Sequence, residues 1–200
     1  MGMRIEGIRF LLVEDNDHMR RLVRLIIQSM GVESIIEARD GSDALVTMRQ
    51  EAPPDILITD WMMSPMDGLE LTRYIRKSEH SPNRFLPIIM MTGFAERKRV
   101  FAARDAGVTE FLVKPLSAIS LFSRIQAIVE KPRQFVQVGE FFGPDRRAPQ
   151  GRVQRPGAPR QGSAAGQGTT AAARRGDDSG RHQRPVQSVT APCPRRHIFS

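Results

Sequence analysis

From residue 8 to residue 130 short apolar runs alternate with longer stretches of helical period, the signature of strands joined by crossover helices. The strands are predicted at residues 8–13, 34–38, 56–59, 87–92 and 110–113. Between the first two, residues 18–30 set Met19, Leu22, Val23, Ile26 and Ile27 on one helical face and Arg20, Arg21, Arg24 and Gln28 on the other. Gly31 follows where a left-handed residue ends a helix. Further helices are expected at 42–51, 69–78, 96–106 and 116–130, with Gly107 as a second stop. Nearly continuous apolar strands flanked by helices call for a parallel sheet covered on both faces and wound with right-handed crossovers. The reading is an α/β, doubly wound domain over residues 5–131.

Charge divides the chain at the end of that pattern. Residues 1–130 carry 17 Lys or Arg against 18 Asp or Glu, whereas residues 131–200 carry 13 against 4, so the whole basic excess lies in the tail. The tail also holds 8 of the 14 prolines, 9 of the 16 glycines and only ten Val, Ile, Leu or Phe, too few to offset the entropy of ordering it. Residues 132–200 are therefore expected to have no fixed fold. The single cysteine, Cys193, excludes an internal disulfide. No apolar run approaches the roughly 18 residues that span a bilayer, and the first nine residues lack a signal peptide's apolar core, so a cytoplasmic address is the default. Neither GxxxxGK[ST] nor GxGxxG follows the first strand, which disfavours ATP and dinucleotide chemistry.

In an open parallel sheet ligands bind at the carboxyl ends of the strands, so the polar residues directly after each apolar run carry the information. After the first strand come Glu14 and Asp15, after the third Asp60, after the fourth Thr92, and after the fifth Lys114 and Pro115. Three gathered carboxylates repel one another and call for a cation. Magnesium suits them, because it takes one or two carboxylates, a carbonyl, waters and a phosphoryl oxygen. Asp60 can then be the nucleophile of an aspartyl phosphate, with the metal and Lys114 neutralising the transferring group and Thr92 offering a hydroxyl. Lysine is scarce, four residues against 26 arginines, and a compact point charge suits a phosphoryl oxygen better than a guanidinium fork. Asn16 or Asp17 is expected to cap the first helix, with Asp17 a cap rather than a ligand. Asp15, Asn16 and Asp17 lack the Gly and terminal Glu of a calcium loop. His18, His80, His182 and His197 fit no ligand spacing.

The stretches LLVEDNDHMRRLVR, ILITDWMMSPMDGLEL, IIMMTGFAE and FLVKPLS resemble the CheY-like receiver family of two-component signalling over about residues 8–130. The resemblance implies a flavodoxin-like five-stranded sheet of order 2-1-3-4-5. It implies further that Glu14, Asp15, Asp60 and the Met62 carbonyl hold Mg2+, that Asp60 is phosphorylated, and that Thr92 and Lys114 read the phosphoryl group. Phe111 falls where the family has a switch aromatic that swings inward when the Thr moves, and the peptide before Pro115 is expected to be cis. One departure is Ser64, where the family commonly has Pro; here Pro65 comes next. Met62 and Phe94, at positions that tune phosphoryl lifetime in the family, are expected to shield the acyl phosphate from water.

With no effector domain in view, the implied protein is a stand-alone phosphoacceptor, not an enzyme acting on a separate substrate. It would take phosphate from a histidine kinase or phosphotransfer protein. Output is expected through a downstream protein partner, across the fourth and fifth helices and the last strand, with a homodimer left open. Two rivals are weighed. An aspartate-nucleophile phosphohydrolase would want an Asp two residues after the first, where Met62 stands. A nucleic-acid-binding regulator would act through the basic tail, which shows no helical period and no aromatic interleaving. The FFGPDRR stretch at 141–147 resembles a short tail found after some single-domain receivers. The Arg, Ala, Gly and Pro bias beyond it is also what GC-rich sequence read out of frame would give.

Overall fold

The computed structural model describes residues 5–93, 97–147 and 187–189. Five β/α pairs come first, in the order β1 (Phe10–Val13), α1 (Asp17–Gln28), β2 (Ile35–Ala38), α2 (Gly41–Gln50), β3 (Ile56–Asp60), α3 (Gly68–Lys77), β4 (Ile88–Thr92), α4 (Arg97–Ala106), β5 (Glu110–Val113) and α5 (Ala118–Glu130). The five strands are all parallel and lie in the order β2-β1-β3-β4-β5. The order in which strands are added therefore reverses at β1, and a crevice opens beyond the carboxyl ends of β1 and β3.

Period-2 side-chain alternation builds the two layers. Phe10 and Leu12 of β1 face Val23 and Ile27 of α1 and Leu121 and Ile125 of α5. Leu11 and Val13 face the other way, towards Ala44 and Met48 of α2 and Leu71 and Ile75 of α3. All four β1 side chains are fully buried, each contributing about 1.5–3 kcal/mol of apolar burial. A third cluster joins Met90 to Ala103 and Ala106 of α4, with Phe111 packed on its edge.

Local chemistry ends the helices as the pattern anticipates. Gly31 and Gly107 close α1 and α4 with φ of +88° and +97°. Asn16, not Asp17, caps α1, accepting from the N–H groups of His18 and Met19 at 3.0 Å. Asp67 and Glu70 form a reciprocal capping box on α3.

The chain continues in ordered form past residue 131. β6 (Phe135–Val138) and β7 (Phe141–Pro144) form an antiparallel hairpin, and β8 (Gln187–Val189) pairs with the free side of β6. Expecting no fixed fold from residue 132 onward is thus corrected for residues 135–147. The reason is physical: five of the tail's ten Val, Ile, Leu and Phe residues fall within 135–142, so a local apolar face exists that the average composition hides. Phe135 and Phe142 are buried, and their rings meet that of Phe85 at 5.4 and 5.3 Å. Beneath them lies Arg76 of α3, 1% exposed. It donates to the carbonyls of Gly107, Arg84 and Leu86 at 3.0, 2.8 and 2.7 Å, and its guanidinium sits 5.0 Å from the Phe135 ring centre. Burial, with the nearby Arg84 charge adding to it, pushes the Arg76 guanidinium down to about 9. Residues 148–186 and 190–200, the remainder of the expected tail, lie outside the described residues.

Candidate functional site

Asp60 is the last residue of β3 and is 8% exposed. Glu14 and Asp15 leave the end of β1 next to it, and Lys114 leaves the end of β5. One carboxylate oxygen from each of Glu14, Asp15 and Asp60 lies within 4.8 Å of the others. The Lys114 ammonium is 3.0 Å from Glu14 Oε2 and 3.0 Å from Asp60 Oδ1. These four residues therefore meet at the crevice, although the first and last are 100 positions apart.

Burial, reinforced by the Asp60 charge, holds the Glu14 carboxyl above its ordinary value even though Lys114 draws it down. Burial alone would depress the Lys114 ammonium, but its hydrogen bonds to Asp60 and Glu14 outweigh that and hold it above its ordinary value. Three carboxylates facing one ammonium leave the cluster short of positive charge. An oxygen-only donor set, with Asp15 exposed and the other two anchored inside, is chemically suited to a hard divalent cation that keeps some of its water.

The site opens on both sides. A cleft of about 420 Å³ is lined by Glu14, Asp15, Asn16, His18, Met19, Leu22, Asp60 and Lys114. A neighbouring cleft of about 490 Å³, lined by Trp61, Met62, Met63, Ser64 and Asp67, shares Asp15 with it. A reacting group can thus reach Asp60 from solvent beside α1.

Thr92 ends β4 and is 2% exposed. Its carbonyl accepts from the Lys114 N–H at 2.8 Å, tying the two strand ends together. Phe111 pairs in register with Met90, the residue two before Thr92, and is partly buried on the α4 side of the sheet. Met62 is 57% exposed beside the second cleft, and Phe94 lies outside the described residues. The Lys114–Pro115 and Ser64–Pro65 peptides are both cis.

Two supporting residues escaped the sequence reading. Arg20 donates to the Glu14 carbonyl at 2.8 Å and to Glu37 at 3.1 Å, fixing the chain at the acidic pair. On a helical wheel it is one surface arginine among three, and nothing in the pattern marks it. Gly68 opens α3, and a Cβ there would lie 2.0 Å from the Asp60 carbonyl oxygen. That approach demands glycine, and a glycine eight residues after the candidate nucleophile was the available signal.

Comparison with known proteins agrees with this geometry. The sequence model of the response regulator receiver domain matches residues 10–126. The chain is 34% identical over 126 residues to the chemotaxis protein CheY-3 of Vibrio cholerae, covering 63% of this chain and 95% of that protein. Among solved structures, V. cholerae CheY4 superposes with a TM-score of 0.55 at 28% identity, covering 60% of this chain and 98% of that one. The receiver domain of a Pseudomonas aeruginosa sensor histidine kinase, described with a magnesium ion coordinated in its active-site cleft, superposes with a TM-score of 0.53 at 28% identity, covering 60% and 95%. Among the described residues no helix is long and apolar enough to cross a membrane. Sheet order, acidic crevice and matched sequence converge, and this chain belongs to the response regulator receiver domain family of phosphoacceptor signalling switches.

Proposed function

We propose that Asp60 takes a phosphoryl group from the phosphohistidine of a histidine kinase or phosphotransfer protein, and that the aspartyl phosphate switches a protein-binding surface. The observation that carries this reading is the Lys114 ammonium standing 3.0 Å from both Asp60 and Glu14 within a three-carboxylate crevice. An Asp60 oxygen attacks phosphorus, the phosphorus–nitrogen bond breaks, and the imidazole leaves with the electron pair and takes up a proton. Lys114 neutralises charge on the transferring group from where it already stands. Thr92 offers its hydroxyl to a phosphoryl oxygen.

Glu14, Asp15, Asp60 and the Met62 carbonyl would hold Mg2+, which when bound supplies charge neutralisation at the phosphoryl oxygens. The oxygen-only donor set and the cluster's shortage of positive charge support that assignment. Arg20 keeps the Glu14 backbone in place.

Signal output follows as a population shift. The ring of Phe111 moves inward once Thr92 engages the phosphoryl group, and the surface of α4, β5 and α5 changes for a downstream partner. Hydrolysis of the acyl phosphate resets the switch.

Incubation with acetyl phosphate and Mg2+, followed by mass spectrometry of the intact chain, tests the core of this reading. One phosphoryl adduct is expected, absent when EDTA is added and absent in Asp60→Ala. An adduct that survives in Asp60→Ala overturns the assignment.

A further inference from the structure

The hairpin lies beyond the residues matched to the family, 10–126, yet its returning arm reaches the strand that bears Phe111. After β7 the Asp145 N–H donates to the Gln134 carbonyl at 2.7 Å, and the Asp145 carboxylate pairs with Arg147 at 2.6 Å. Between those two braced residues stands Arg146. Its guanidinium donates to the carbonyls of Val108 and Thr109, just before β5, and lies 5.7 Å from the centre of the Phe111 ring. Arg133, at the other foot of the hairpin, pairs with Glu110 of β5 at 3.3 Å.

We propose that the arm 145–147 is a latch on the switch: Arg146 is a positioning residue that holds Phe111 in its resting place, and phosphorylation of Asp60 releases the arm. This rests on the roles given above to Asp60 and Phe111. The geometry supplies the coupling. Phe111 sits opposite Met90, and Thr92, two residues further along β4, faces the same side of the sheet. The inward route of the ring therefore runs along that face, towards Thr92 and away from the guanidinium. Among the described residues, Arg146 Nε is buried without a hydrogen-bond partner. Once the ring is gone, that desolvated N–H gains by turning to water, so the contact is poised to open. The aromatic anchor of Phe85, Phe135 and Phe142 is held by separate contacts, its rings on one another and Phe135 on Arg76, and stays closed.

Coupling of this kind is reciprocal: whatever factor phosphorylation takes from the latch, the latch takes from phosphorylation. The test uses the full chain with Mg2+ and beryllofluoride, a phosphoryl mimic that adds to an aspartyl oxygen. Trp61, the chain's single tryptophan and the residue after Asp60, reports occupancy by fluorescence. Tryptic cleavage between Arg146 and Arg147, followed by mass spectrometry, reports the arm. Saturation at Trp61 should speed that cleavage about tenfold, the factor expected from losing one cation–π contact and its accompanying hydrogen bonds. Arg146→Gln and, separately, Phe111→Leu should bind beryllofluoride about tenfold more tightly, by the reciprocity just given. A merely structural Arg146 would lower stability and leave that affinity unchanged. If Trp61 saturates while cleavage and affinity stay as they were, the latch is overturned. If Trp61 never responds and Asp60 takes no adduct, the phosphoacceptor reading falls and the latch falls with it.

Discussion

Lys114 Nζ stands 3.0 Å from Asp60 Oδ1 while also touching Glu14, so one ammonium serves two buried carboxylates that would otherwise repel each other. Replacing it by methionine removes that screening and leaves the acidic cluster uncompensated. Lys114→Met should be less stable than wild type without metal, by about 1–3 kcal/mol, discounted from a fully buried pair because Lys114 is 20% exposed. Its Mg2+ affinity should rise, because the competing ammonium is gone. A Trp61 fluorescence titration showing weaker Mg2+ binding in the variant would contradict this account.

Glu14 predicts a pH dependence. Burial first, and the Asp60 charge second, raise its folded-state value above the ordinary 4.5. The folded domain therefore takes up this proton at higher pH than the unfolded chain. The resulting stabilisation is complete below 4.5 and is lost as pH rises through the higher folded-state value. In EDTA, Glu14→Gln should be more stable than wild type at neutral pH, and the gap should narrow on acidification through that window. Urea midpoints measured across that pH range decide it; a gap independent of pH would exclude Glu14 as its source.

Arg76 is predicted to be structural. Arg76→Met leaves the carbonyls of Gly107, Arg84 and Leu86 without their donor, and the cost should be on the order of 3 kcal/mol or more. Chemical denaturation measures it. A change below 1 kcal/mol would mean that water replaces the guanidinium without difficulty.

Gly68 links helix packing to the site. A methyl group there would stand 2.0 Å from the Asp60 carbonyl oxygen and 3.0 Å from Thr59 Oγ1, so the start of α3 must retreat from β3. Gly68→Ala should lose about 1–3 kcal/mol and slow acetyl-phosphate labelling of Asp60 together. Full labelling speed in a destabilised variant would separate the two effects and disprove the link.

How much of this was legible beforehand differs from residue to residue, for physical reasons. Asp60, Thr92 and Lys114 each end an apolar run, and a parallel sheet has little choice but to gather such residues at one edge. Gly31 and Gly107 could be placed because helix ends have few solutions. Asn16 and Asp17 are both good caps, and only the backbone conformation chooses between them. Arg76 was invisible: in sequence it is one more basic residue on a helix. The hairpin was missed because Phe135 and Phe142 bury themselves against Phe85, fifty and more positions away, and an average over the tail dilutes them.

The Phe135 ring roofs a buried cation that belongs to α3. Peeling the hairpin away would wet that guanidinium and the carbonyls it serves, so the small sheet has no independent route to melting. A calorimetric scan should find a single cooperative transition for both sheets. The unit that folds is therefore longer than the family's own boundary, and a fragment trimmed to that boundary would be missing part of its core.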